Sequence, residues 1–121
     1  MDAVRDGNLE ELLVLLDPDV VRRADRWVLP GSAPLELRGA QAVAEGVLRY
    51  GRAATRNACP ALINGAPGLI VAPRGRLRMA LTIRIEQNKI TEVTVIGEPS
   101  ELVRLDIRLP EPYGPTHVKE V

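Results

Sequence analysis

The sequence predicts an α+β domain, with helices segregated to one face of a mostly antiparallel sheet. Three observations predict it. Two segments in the first half space their apolar residues as helices do, and the second half changes to a period of two over short runs joined by turn residues. The 121 residues suffice for one hydrophobic core and not for two.

Leu9, Leu12, Leu13 and Leu16 fall at i, i+3, i+4 and i+7, and Asn8 with Glu11 three residues later forms a capping box at the start of this first helix. Asp17-Pro18 ends it. Residues 19–25 are β-compatible, and 26–38, with Pro30, Gly31, Ser32 and Pro34, read as a loop. A second helix spans about 40–54, its stripe made by Val43, Val47, Tyr50 and Ala54 and its propensity weakened by Gly46 and Gly51.

Beyond it, 58–64 and 69–72 are apolar runs joined by the turn-rich Asn64-Gly65-Ala66-Pro67-Gly68, and Pro73-Arg74-Gly75 makes the next turn. The clearest strand is 76–86, where Leu77, Met79, Leu81, Ile83 and Ile85 mark the core face and Arg76, Arg78, Ala80, Thr82, Arg84 and Glu86 the other. Gln87-Asn88-Lys89 turns into a strand over 90–96, and 99–105 suit one short helix. From Asp106 onward the prolines predict an extended tail, giving a domain of 1–105 and a tail of 106–121.

Sixteen basic residues balance sixteen acidic ones, which removes the broad positive field that draws proteins to nucleic acid or anionic membranes. Trp27, Tyr50 and Tyr113 are the only aromatics, too few for a base-stacking platform. Neither nucleic acid nor membrane is an expected partner. Cys59 is the sole cysteine, so an internal disulfide and a cysteine-built zinc site are excluded. No apolar run approaches the roughly 20 residues that span a bilayer, and no secretory signal pattern opens the chain, so the expected compartment is the cytoplasm.

Four stretches carry a family likeness: Arg5-Asp-Gly-Asn-Leu-Glu-Glu-Leu-Leu, Leu16-Asp-Pro-Asp-Val-Val, Leu62-Ile-Asn-Gly-Ala-Pro-Gly-Leu-Ile-Val and Asn88-Lys-Ile-Thr-Glu-Val. Together, over about residues 3–104, they resemble the SnoaL-like branch of the nuclear transport factor 2-like superfamily, in particular the C-terminal domain of bacterial extracytoplasmic-function RNA polymerase sigma factors. The resemblance implies a cone-like curved sheet around a pocket, with helices packed on the concave face, and pairing into homodimers. Some members are isomerases, cyclases or epoxide hydrolases and others only bind. In the sigma-factor branch the domain regulates the promoter-binding part of its own chain.

The departures bear on function. The branch carries an Asp-Gly-Gly-Gly-Lys-like segment after the first strand, where this chain has Asp25-Arg26-Trp27-Val28-Leu29 and keeps only the Asp. After the last strand it carries Asn-Pro-Asp-Lys-Leu, where Glu98-Pro99-Ser100-Glu101-Leu102 keeps only Pro and Leu. Both segments are linked in the branch to regulation of the sigma core. The two helical promoter-binding domains do not precede Met1, so the sequence reads as an excised C-terminal domain or a stand-alone relative.

Catalytic side chains are scarce. Asp2, Asp6, Asp17 and Asp19 suit capping and turn roles at the ends of the first helix. Asp25 either faces a pocket or caps the loop that follows, and with Arg22 or Arg84 it only begins an epoxide-hydrolase-like Asp-Arg-Asp set. Tyr50 is a core residue or an isomerase-type donor, His117 lies in the tail, and Cys59 before Pro60 suits a small buried hydrophobe. No cofactor or metal is expected. The pocket candidates are Asp25, Trp27, Val47, Tyr50, Leu62, Met79 and Leu81, facing an apolar small molecule. Arg74, Arg76, Arg78, Pro99 and Leu102 are the candidates for docking sigma-factor core domains or RNA polymerase, the arginines being otherwise a solvated face. Ala80, Thr82, Val93 and Val95 make the sheet apolar on both sides and so predict a homodimer through its outer face. The expected function is a non-catalytic regulatory or ligand-binding domain of a sigma factor; the alternative is a small isomerase, cyclase or epoxide hydrolase.

Overall fold

The computed structural model describes residues 9–29, 31–55 and 57–109, and the side chains at 50–55 are excepted. The Asn8 cap, Asp2, Asp6, the side chain of Tyr50, and the tail beyond Leu109 with Tyr113 and His117 lie outside the described residues.

The chain runs α1 (Leu9–Leu15), β1 (Leu16–Ala24), β2 (Glu36–Arg38), α2 (Ala40–Thr55), β3 (Ala58–Ile63), β4 (Ala66–Val71), a 3-10 turn (Pro73–Gly75), β5 (Met79–Glu86), β6 (Lys89–Ile96), α3 (Pro99–Leu102) and β7 (Ile107–Arg108). The strands form one open sheet in the order β2-β1-β6-β5-β4-β3-β7. Every neighbouring pair is antiparallel except β1 with β6. The fold is therefore α+β with a mostly antiparallel sheet, as the periodicities predict.

Apolar side chains are buried on both faces of this sheet, by different cover. On one face Leu12, Leu16, Val20, Val43, Ala44, Ile90 and Val93 form a cluster beneath α1 and α2, with Leu13, Val47, Leu81, Ile83 and Val95 packed against it. On the other face Ala61, Ile63, Ile70 and Ala80 pack with Leu77, Leu102, Leu105 and Ile107. Cross-strand register assigns the faces, since directly paired residues share a side. Leu69, Leu81 and Val95 are paired in a row on the helix face, and Ile70, Ala80 and Ile96 in the next row on the opposite face.

The second cluster revises the homodimer argument. Ala80 is fully buried by the chain's own C-terminal segment, and Val93 and Val95 belong to the helix face. Ala80 is thus covered within the chain, and the four residues chosen for a dimer face lie on two different faces, Ala80 and Thr82 on one and Val93 and Val95 on the other. The tail expected from Asp106 likewise begins inside the sheet. Ile63 pairs with Ile107 and Leu62 with Arg108, and Ile107 is fully buried.

Other boundaries move for local reasons. Leu16 opens β1 rather than closing α1, and the expected loop 26–38 ends in β2, paired with β1 through Val21 and Arg38. The first hairpin turns on Asn64-Gly65 alone, both at positive φ (52° and 85°), the conformation a two-residue type I′ turn requires. Ala66, Pro67 and Gly68 therefore belong to β4, with Pro67 placed before β4 begins to pair with β5 at Gly68. Gly68 is needed for closeness, because a Cβ there would lie 2.5 Å from the Leu81 carbonyl oxygen. The strand expected over 76–86 starts only at Met79, after the 3-10 turn, so Arg74, Arg76 and Arg78 sit on the connection and not on the strand.

Candidate functional site

The ends of β1 and β6 lie side by side, because Ala24 pairs with Val95 in parallel register. Each chain then leaves the sheet, and a parallel pair supplies no turn to join them. Asp25 makes the joint. One carboxylate oxygen, Oδ2, accepts from the backbone N–H of Gly97 and of Glu98, each at 2.9 Å, and Oδ1 accepts from Trp27 N–H at 3.0 Å. A carboxylate holding three N–H donors satisfies groups left open where β1 and β6 end. Gly97 is buried beneath the loop, and a Cβ there would run into Val28 Cγ1 and Trp27 Cβ. Glu98 in turn caps α3, accepting from Ser100 N–H at 3.3 Å and from its hydroxyl at 2.6 Å.

The loop after Asp25 is held by two arginines. Arg26 Nη1 donates to the carbonyls of Gly31 (2.9 Å) and Ala33 (2.7 Å), and Arg22 Nη2 donates to that of Pro34 at 2.6 Å. Arg22 is the one charged side chain among the described residues that is buried, on the helix face beside Val93. This scaffold presents Trp27 outward, 66% exposed.

The pocket candidates divide. Val47 and Leu81 each pack against the helix-side cluster, and register places Met79 and Leu62 on that same sheet face, Leu62 toward the exposed margin. Trp27 points to solvent and Asp25 caps its loop, so neither shares that wall. Arg84 lies on the opposite face with Ala80 and Thr82, which separates it from an Asp-Arg-Asp set at Arg22. Cys59 packs against the second cluster, and burial pushes its thiol pKa up, away from nucleophilic use. No group of three or more His, Cys, Asp or Glu converges among the described residues.

Of the docking candidates, Arg74, Arg76 and Arg78 are exposed and Pro99 is half-buried. Leu102 is 1% exposed and anchors α3 in the second cluster, so it is a core residue and not a docking one. Sequence reasoning missed Gly97, Arg22 and Arg26 as organisers. The signal for Gly97 was its place just after an apolar strand and before Glu98-Pro99-Ser100, a helix start. Among the described residues no helix is long and apolar enough to cross a membrane.

No protein-family model matches the chain, and no curated protein matches it in sequence. Solved structures do. The chain is similar to the Mycobacterium tuberculosis extracytoplasmic function sigma factor SigJ, with 27% identity and a TM-score of 0.62 over 83% of this chain and 40% of that one. It thus spans less than half the length of that sigma factor. A nuclear transport factor 2-like protein of unknown function from Burkholderia pseudomallei matches at 17% identity and a TM-score of 0.54, over 85% of this chain and 88% of that one. A putative isomerase from Bacillus subtilis matches at 13% identity and a TM-score of 0.52, over 98% and 89% of the two chains. The parallel β1–β6 pair, the antiparallel hairpins and the helix-covered face are therefore those of the nuclear transport factor 2-like, SnoaL-like fold, and this chain has that fold.

Proposed function

We propose that this SnoaL-like domain is a non-catalytic, cytoplasmic regulatory or ligand-binding domain of a sigma factor, modulating transcription initiation. The observation that carries the reading is the Asp25 joint. In the sigma-factor branch that the sequence resembles, the segments after the first and the last long strand are those linked to regulation. Here Asp25 ties the first to the second through Gly97 and Glu98, so a contact made at the Trp27 loop is felt at α3. The similarity to SigJ supports the same reading. Catalysis at Asp25 is disfavoured by the same bonds, because three backbone N–H donors fix the carboxylate in a structural role and leave at most one of its roughly four acceptor positions for a substrate proton.

The test joins the domain to, and removes it from, a promoter-binding sigma core in a purified transcription assay. Transcript yield should change with the domain present, and Asp25→Asn, which puts a donor where an acceptor is needed, should reverse much of the change. A panel of epoxide and ketosteroid substrates should show no turnover. Unchanged transcription would remove the regulatory reading. Turnover lost in Asp25→Asn would install the enzyme in its place.

A further inference from the structure

Six described arginines, Arg49, Arg74, Arg76, Arg78, Arg84 and Arg104, have no described carboxylate within 4.0 Å, and three of the six are clustered within one five-residue segment. Arg23, Arg38 and Arg108 pair with carboxylates, and Arg22 and Arg26 hold loop carbonyls. Arg74, Arg76 and Arg78 are all exposed, and no carboxylate among the described residues comes within 4.0 Å of them. Three guanidinium groups thus stand within five residues, on a chain whose net charge is zero.

The backbone under them is fixed. Leu77, fully buried in the second cluster, anchors the middle of the segment and leaves its two flanking arginines outside. Gly75 N–H donates to Ala72 O at 3.1 Å, Arg76 N–H to Pro73 O at 3.0 Å and Arg78 N–H to Val71 O at 2.9 Å. Arg74 sits at φ 56°, a left-handed conformation that glycine or asparagine takes more readily, so the long charged side chain is kept where the backbone does not favour it. Packing accounts for Leu77 and turn geometry for Pro73 and Gly75. Neither accounts for three arginines.

We propose that the Arg74–Arg78 connection is a docking surface for an extended acidic segment of a partner protein. Alternate residues of an extended chain are roughly 6.6 Å apart, so carboxylates at i and i+2 of such a segment meet Arg76 and Arg78 in turn. Guanidinium groups favour that pairing, since each takes a carboxylate through two parallel N–H donors. Nucleic acid fits less well: the whole-chain field is absent and no aromatic lies in the connection to stack a base. The inference rests on these arginines and does not depend on the sigma-factor reading.

The probe is a short fluorescein-labelled peptide alternating Glu with Ser, titrated with the full chain at low salt and read by anisotropy. Arg74→Gln/Arg76→Gln/Arg78→Gln should weaken binding by about tenfold or more, as three exposed ion pairs allow. Arg49→Gln/Arg84→Gln/Arg104→Gln removes the same charge elsewhere and should weaken it by less than about twofold. Thermal melts of both variants establish that they fold. The proposal is overturned if the peptide does not bind, if the two triple variants lose equally, or if single-stranded DNA of matched charge binds more tightly than the peptide.

Discussion

At the β1–β6 side of the sheet the apolar face is covered by α1 and α2, two helices that come before most of the strands they cover; at the β3–β4 side the opposite face is covered by Leu102, Leu105 and Ile107, residues that come after the last long strand. The first cover is a pair of helices with a broad stripe. The second is one turn of helix and two residues of strand, too short to hold shape alone. It is held by side chains that tie backbone to backbone: Asp25 to Gly97 and Glu98, and Asn64, whose Oδ1 accepts from Asp106 N–H at 2.9 Å while its own N–H donates to Asp106 O at 2.8 Å. A helix covers a sheet by area, whereas this segment covers it by being pinned at both ends.

The largest effect expected is on the two anchors. Leu12→Ala and Leu102→Ala each remove a fully enclosed leucine and should destabilise by about 2–5 kcal/mol, seen as lower denaturant midpoints. Leu13 and Ile83 pack only at the margin of the helix-side cluster, so their replacement by Ala should cost less than that of Leu12. If Leu102→Ala leaves the global midpoint in place and only speeds hydrogen exchange over 98–109, the C-terminal cover opens separately and the two regions are less alike than their burial suggests.

An intermediate effect tests the strand that both regions share. Gly68→Ala puts a Cβ against the Leu81 carbonyl in the middle of the sheet and should destabilise by about 1–3 kcal/mol. Unchanged stability would mean that β4 and β5 separate without consequence for either cluster.

The smallest effect belongs to the open part of the outer face, near β1 and β2. There Arg23 pairs with Glu92 at 2.7 Å and with Glu36 at 3.3 Å, and Arg38 with Glu36 at 2.9 Å, all between solvated side chains. Arg23→Ala should cost about 0.2–1 kcal/mol, and less at high salt. A larger, salt-insensitive loss would show that this half is buried against something, as the C-terminal half is.

Periodicity alone determined the short first helix and the long second one, the succession of hairpins and the α+β class, because a repeat of 3.6 or 2 records which face of an element meets apolar neighbours. A turn starting at Asn64-Gly65 was legible for the same kind of reason, since two positive φ values in succession admit few residues, but the sequence extended it to Gly68 where the strand already resumes at Ala66. The strand over β5 was misread in part. Alternation gives two faces but not their cover, so Ala80 looked exposed and Ile85 buried, where the reverse holds because the C-terminal segment closes over one end of the strand and the other end runs into solvent.

The site was legible in its residues and not in its contacts. Asp25 stood out as a carboxylate beyond a strand, but two of its three partners lie more than seventy positions away, and all three are backbone N–H groups, which leave no mark on residue identity. Leu102 reads as a docking residue because, with Pro99, it is retained from the branch's Asn-Pro-Asp-Lys-Leu segment, and a short motif does not show which of its side chains are turned into the core. What the sequence determined by itself was the set of elements and their inward stripes, which depend on neighbours within a few residues. Which loop meets which strand end, and which face the C-terminal segment covers, was decided only when the parallel β1–β6 pairing brought Ala24 beside Val95, because long-range pairing is a property of the closed sheet and of no segment within it.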